Sequence, residues 1–383
     1  MRLRVVLVAA LAWAAASRAQ GAPARGDPQE AEAARQSALR QLIALTNAVA
    51  AGSTVGGELA LGWAPHFLKG EAGQTYVPFS LTINEHSRRP SAFLVYMRVA
   101  HAGQAPPIGE GKPGGMELAT AGLAPGELPV GGVATRHRRS SPYGEASARL
   151  GLVEMDREAA RGPYVFEDSH VVEVEPGDEV RPYRLQRALA VPPGDYVLYV
   201  AVSEVGDSAA QARSAVLRQP LLARDFWGGA VSLSSLILAE RVMALPAPMG
   251  MRLQSRRPYA IGSQEIVPVA GRELAQDEEA AVAFQIYGAG LGAGGRPSVG
   301  IEYLLLRQAG DSYVPHARLP SQQLDARTLP AAFDPEAGHQ LGAVQDLPVS
   351  LLPPGEYLLE VTVTDNVRAT SARAAVDFAV RQR

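Results

Sequence analysis

The sequence predicts a mainly β protein, built as two antiparallel β-sandwich domains with a short N-terminal helix. Three observations carry that expectation. Apolar and polar residues alternate in stretches such as TYVPFSLTIN (75–84), the period-two pattern of a strand with one face on a core. VPPGDYVLYVAVSE, from Val191, returns almost unchanged as LPPGEYLLEVTVTD, from Leu352. Two further alternating segments recur in the same order, which marks an internal duplication.

The elements follow in chain order. Residues 1–19 read as an export leader: a basic start (Arg2, Arg4), an apolar stretch over 5–16 too short to span a bilayer, and small residues Ser17 and Ala19 before a cleavage point. Residues 20–52 contain a helix. Asp27-Pro28 supplies the cap and first-turn proline, and Leu39, Leu42, Ile43, Val49 and Ala50 form one apolar stripe ending before Gly52.

A first sandwich domain is expected over 53–222. TYVPFSLTIN and SAFLVYMRVA read as a hairpin, followed by a Gly- and Pro-rich excursion over about 103–160. PYVFEDSHVVEVE, YRLQRALAV, the first PPGxY segment and SAVLRQPLL complete the strand set. Residues 223–260 read as a connector of short strand-like runs between prolines that partly pads the interface, and 261–383 as the second sandwich domain.

The duplication is explicit in the residues. VAFQIYG at Val282 lies 205 positions after VPFSLTI at Val77, IEYLLLRQAG at Ile301 lies 207 after LVYMRVAHAG at Leu94, and Tyr357 lies 161 after Tyr196. The first copy therefore carries about 46 additional residues, which fall across the excursion. In each PPGxY the prolines fix φ, the glycine takes a conformation other residues resist, and the tyrosine enters the core. Tyr196, Leu198, Val200 and Val202 are expected to face inward, as are Tyr357, Leu359, Val361 and Val363. The opposite face holds Glu360, Thr362 and Thr364 in the second copy but Val197, Tyr199 and Ala201 in the first. That first face needs a cover.

Composition narrows the function classes. With 383 residues the chain is long enough for two cores. A net charge of −3 gives no general field for nucleic acid. There is no cysteine, so disulfides, thiolate catalysis and Cys-ligated metals are excluded. After leader cleavage no apolar run reaches the length of a membrane-spanning helix, so no integral membrane segment is expected.

FLKGEAGQTYVPFSLTI, LSSLILAERV, YAIGSQEIVPVAGREL and the two PPGxY strands resemble the β-sandwich segments of secreted bacterial proteins that carry GWxTD or von Willebrand A-type domains. The signatures of those domains are themselves absent: Gly62-Trp63 runs into Ala64-Pro65, and there is no D-x-S-x-S. The resemblance implies a bacterial exported sandwich protein and transfers no site residue. PPGxY is also similar to the turn of transthyretin-like and other immunoglobulin-like modules, so both domains are expected to be immunoglobulin-like.

No catalytic signature is present. G-x-S-x-G, H-E-x-x-H and a phosphate-binding loop are missing, and GAGLGAG (288–294) precedes a strand rather than a helix. No catalytic, cofactor or metal residues are assigned. His170 and Glu173 alternate to opposite faces of HVVEVE and cannot share an ion, so that strand reads as solvated. Asp277-Glu278-Glu279 sits beside a turn and reads as a soluble edge, with calcium binding as the alternative although the D-x-D-x-D-G spacing is missing. The densest cationic cluster, Arg136, His137, Arg138 and Arg139, is a candidate anion or partner site, or a solvated loop open to proteolysis. Trp63, Phe67, Phe226 and Trp227 are the large rings available for a sugar platform, or else core residues.

The expectation is an exported, periplasmic or extracellular, non-enzymatic binding or scaffolding protein. Its partner would be a protein or surface polymer, with no nucleic acid and no cofactor. The alternatives are a polysaccharide-binding accessory protein and a hydrolase with no local motif.

Overall fold

The structure is a computed structural model that describes residues 28–53, 59–84, 92–103, 164–174, 182–205, 212–245, 257–262, 264–292, 294–335 and 339–382. The leader, nearly all of the excursion and the cluster Arg136–His137–Arg138–Arg139 lie outside these residues.

Among the described residues the chain is mainly β, with one long helix, α1 (Pro28–Ala50). The strands of the first half are β1 (Ala60–Pro65), β2 (Leu68–Lys69), β3 (Thr75–Asn84), β4 (Ala92–His101), β5 (Phe166–Glu173), β6 (Tyr183–Val191), β7 (Gly194–Val205) and β8 (Ser214–Ala223). Those of the second are β9 (Ser232–Leu233), β10 (Ile237–Ala244), β11 (Ala260–Ile261), β12 (Gln264–Pro268), β13 (Glu273–Ala275), β14 (Ala280–Tyr287), β15 (Val299–Ala309), β16 (Ser312–Leu324), β17 (Leu341–Leu347), β18 (Gly355–Asp365) and β19 (Thr370–Arg381).

In the first half, β1 and β2 pair with one edge of β3 and β6 with the other, and a second sheet has the order β5-β4-β7-β8. The core lies between them: Val77, Phe79 and Leu81 of β3 meet Val95, Met97 and Val99 of β4 and Leu198, Val200 and Val202 of β7. In the second half, β10-β14-β17 faces β16-β15-β18-β19, enclosing Val282, Phe284, Ile286, Tyr303, Leu359 and Val361. The β3–β6 pair and the order β5-β4-β7-β8 recur as the β14–β17 pair and the order β16-β15-β18-β19, while β11, β12 and β13 extend the second half's sheets without a counterpart among the described strands of the first. The PPGxY residues expected to face inward do so in both.

Three readings change. First, β3 and β4 are not a hairpin: β3 pairs with β1, β2 and β6, while β4 pairs with β5 and β7, so the chain crosses between sheets. β4 is buried on both faces along most of its length, as an internal strand with cover on each side must be. Second, the strand-like runs of the expected connector belong to a sheet of the second sandwich. β10 lies between β12 and β14, because the apolar run Ile237–Leu238–Ala239 serves two clusters, one on each face.

Third, the offset between β4 and β15 is 206, not 207. Val95, Met97 and Val99 stand opposite Val202, Val200 and Leu198, while Ile301, Tyr303 and Leu305 stand opposite Val363, Val361 and Leu359. Met97 is therefore the counterpart of Tyr303. Matching Tyr96 to Tyr303 joins residues on opposite faces, since Tyr96 packs outside and Tyr303 inside. A slip of one residue in a strand inverts every side chain.

The cover required over the outer face of β7 is α1. Leu42 is buried against Leu94, Tyr96 and Ala201, with Ala38, Leu39 and Ile43 packed alongside. Thr46, also buried, returns its hydroxyl to the Leu42 carbonyl (2.7 Å). The corresponding face of the second half carries Glu360, Thr362 and Thr364, none of them buried.

Candidate functional site

Three polar constellations stand out among the described residues. One joins the two sandwiches. The Phe67 N–H donates to Ser235 Oγ (2.8 Å) and the Ser235 N–H to the Phe67 carbonyl (2.9 Å). The Lys69 N–H donates to the Tyr287 hydroxyl (3.1 Å), and the Tyr76 hydroxyl to the Pro258 carbonyl (2.8 Å). His66 Nδ1 and the Tyr259 hydroxyl are hydrogen-bonded at 2.9 Å. Burial and the nearby Arg272 hold the His66 pKa down to about 4, so the ring is neutral at physiological pH. Burial pushes both Tyr76 and Tyr259 above the usual phenol range.

The second constellation lies where β5 and β6 approach each other. His170 is buried rather than solvated, and its Nδ1 lies 3.6 Å from Asp168 Oδ2. Arg187 Nε donates to His170 Nε2 (3.2 Å), and Arg187 Nη1 to the Gln186 carbonyl (2.8 Å). Burial lowers the His170 pKa, Asp168 partly opposes this, and Arg187 adds to it. A carboxylate beside an imidazole is half of a base-nucleophile relay. Here the lone pair that would take the proton already accepts from a guanidinium.

The third constellation was invisible to the sequence reading. Arg98 of β4 points outward beneath the end of α1 and is only 1% exposed. Its Nη1 donates to Asn47 Oδ1 (2.6 Å) and to the Tyr164 hydroxyl (2.9 Å). The guanidinium carbon sits 4.4 Å from the Tyr164 ring centroid and 5.1 Å from that of Tyr199. Beside it, the Tyr96 hydroxyl donates to Glu167 Oε1. Arg98 Nε and Nη2 are buried and meet no acceptor among the described residues. The available signal was one charge inside the apolar run FLVYMRVA, because a buried arginine needs partners.

The large rings do not form a platform. Trp63 packs at a tilt against Phe79 and Phe67 packs on the first core, while Phe226 is buried against Tyr287. Trp227 is exposed, with Lys69 Nζ 4.1 Å above its ring. Glu278 caps its own turn by accepting from the Ala275 N–H (2.8 Å).

No protein-family model matches the chain, and no curated protein does. Among solved structures it is similar to a point mutant of Salmonella alpha-2-macroglobulin, at 12% identity over 85% of this chain and 17% of that one (TM-score 0.21). It is also similar to Escherichia coli alpha-2-macroglobulin activated by porcine elastase, at 11% identity over 86% and 23% (TM-score 0.18). A DUF4785 family protein from Legionella pneumophila matches at 8% identity over 81% and 57% (TM-score 0.17). The chain spans less than a quarter of these macroglobulin chains and little more than half of the Legionella protein. At these TM-scores the likenesses carry no argument about function.

Proposed function

We propose that the protein is an exported, non-enzymatic binding or scaffolding protein of the periplasm or extracellular space, built from a duplicated immunoglobulin-like sandwich. The observation that supports this reading most directly is how the enclosed imidazoles His66 and His170 and the phenols of Tyr76, Tyr259 and Tyr287 are used. His66, Tyr76, Tyr259 and Tyr287 tie one sandwich to the other, and His170 accepts from Arg187. A catalytic base needs a lone pair facing substrate, and a scaffold needs a fixed angle between its lobes. Among the described residues no helix is long and apolar enough to cross a membrane.

The test has two parts. Purified protein is assayed with chromogenic esters, peptides and glycosides, and no turnover above buffer is expected. Turnover abolished by His170→Ala overturns the non-enzymatic reading. Fractionation of producing cells should place the protein outside the cytoplasm, with an intact mass starting at Gln20; a cytoplasmic protein retaining residues 1–19 overturns the exported reading.

A further inference from the structure

We infer that Arg98 anchors a binding site for a small carboxylate on the outer face of the first sandwich. A guanidinium offers two kinds of donor edge. On Arg98 the Nη1 end is consumed by Asn47 and Tyr164, while Nε and Nη2, the pair that grips two oxygens side-on, meet no acceptor among the described residues. Leaving such charged donors buried and unpaired is costly. The rest of the side chain is nonetheless held firmly by two tyrosine rings and two hydrogen bonds. The fork is preorganised.

The duplication provides an internal control. With β4 and β15 in their structural register, the counterpart of Arg98 is Leu304, that of Tyr96 is Glu302 and that of Tyr199 is Glu360. The same sheet position is satisfied in the second copy with no cation, so the fold does not require one. The first copy alone carries the cation between aromatic rings.

Charge and size select the ligand class. Among the described residues no second cation contacts the box, and the carboxylate of Glu167 stands beside it, opposite Arg98 in the strand register. One positive charge next to a negative one suits a monoanion such as a carboxylate better than a doubly charged phosphate or sulfate. The enclosed fork suits a ligand of few atoms. Asn47 and Glu167 at the rim are solvent-facing and Tyr164 is half-buried, while Nε and Nη2 are closed off from solvent, so a ligand reaches them only when one of these rim side chains moves aside.

The experiment uses the full exported chain. Sodium acetate is titrated against sodium chloride at matched ionic strength while the melting temperature and the Arg98 Nε–H resonance are followed, with phosphate as a second arm. A saturable rise in melting temperature and a saturable shift of that resonance are expected with acetate. Arg98→Lys should weaken apparent affinity at least tenfold, and Arg98→Leu, which installs the second copy's residue, should abolish the response. Identical titrations in all three proteins, or no shift of the Arg98 resonance in the unmodified protein, overturn the site. A stronger response to phosphate than to acetate overturns the carboxylate assignment. Acetate binding that appears only in Glu167→Gln overturns it as well, since Glu167 would then be the fork's own occupant. If both Arg98 variants fail to fold, the resonance titration of the unmodified protein decides.

Discussion

His66 of the first sandwich and Tyr259 of the second are hydrogen-bonded across the seam at 2.9 Å, with the imidazole edge-on to the phenol ring. Burial and Arg272 hold the ring neutral until the pH reaches about 4. The unfolded chain takes up that proton near pH 6.5. Between those values the unfolded state binds the proton and the native state does not, so stability falls as the pH drops from about 6.5 towards 4. Denaturant midpoints measured across this window should decline in the wild type and stay flatter in His66→Gln. An equal decline in both would mean that other groups set the acid limb.

Tyr196 and Tyr357 close the two PPG turns alike. The Tyr196 hydroxyl donates to the Pro192 carbonyl (3.0 Å) and that of Tyr357 to the Pro353 carbonyl (2.6 Å). Replacing either by Phe keeps the buried ring and removes one hydrogen bond, an expected cost of about 1 kcal/mol at each site. Gly194→Ala should cost more, on the order of 1–3 kcal/mol, because φ is +156° and a Cβ would stand 3.1 Å from the Tyr196 hydroxyl oxygen. Chemical denaturation of the three variants checks both claims.

Val361 faces the second core while Thr362, its neighbour, faces outward and is only half-buried. Val361→Ala should cost on the order of 1–3 kcal/mol through lost burial and a residual cavity, and Thr362→Ala less than about 0.5 kcal/mol. Equal losses would contradict the strand register.

Period two made the inward faces legible, because a strand half-buried in a sandwich must alternate. β3 and β6 have the bounds that the residues suggest, and β7 starts at its PPG glycine. Periodicity fails where both faces are covered. β4 is apolar on both sides, as is the Ile237–Leu238–Ala239 start of β10, so alternation identifies neither the neighbours of β4 nor the place of β10 in a sheet. The Tyr96–Tyr303 match failed because shared aromatic identity outweighed the one-residue register that only pairing with β7 and β18 reveals. β1 went unread since Gly62 and Pro65 disguise it as loop. Arg98 shows the other limit: the charge was visible, but Asn47, Tyr164 and Tyr199 come from three separate segments that only the fold assembles.

Asp365, at the end of β18, is fully buried and works as a clasp. Its Oδ2 accepts from the Gly290 N–H (2.7 Å), and its Oδ1 from those of Val367 (2.9 Å) and Arg368 (3.2 Å). Arg368 in turn donates to the Gly229 (2.6 Å) and Gly288 (2.9 Å) carbonyls, so three loops meet at this carboxylate. Burial alone would push the Asp365 pKa up, but the three N–H groups and the Arg368 charge outweigh it and hold it below the ordinary value. A depressed carboxyl stabilises the native state at pH values above the unfolded pKa, near 3.8, and loses that contribution as the pH falls through the folded one. Asp365→Asn keeps the shape but removes the charge and turns one acceptor into a donor facing N–H groups. The expected loss at pH 7 is about 2 kcal/mol, the scale of hydrogen bonds to a charged group. The gap between the two proteins should persist through the His66 window and narrow only below about pH 3.8, as the wild-type carboxyl protonates. A gap that already closes between pH 6.5 and 4 would show that the clasp does not depend on the Asp365 charge.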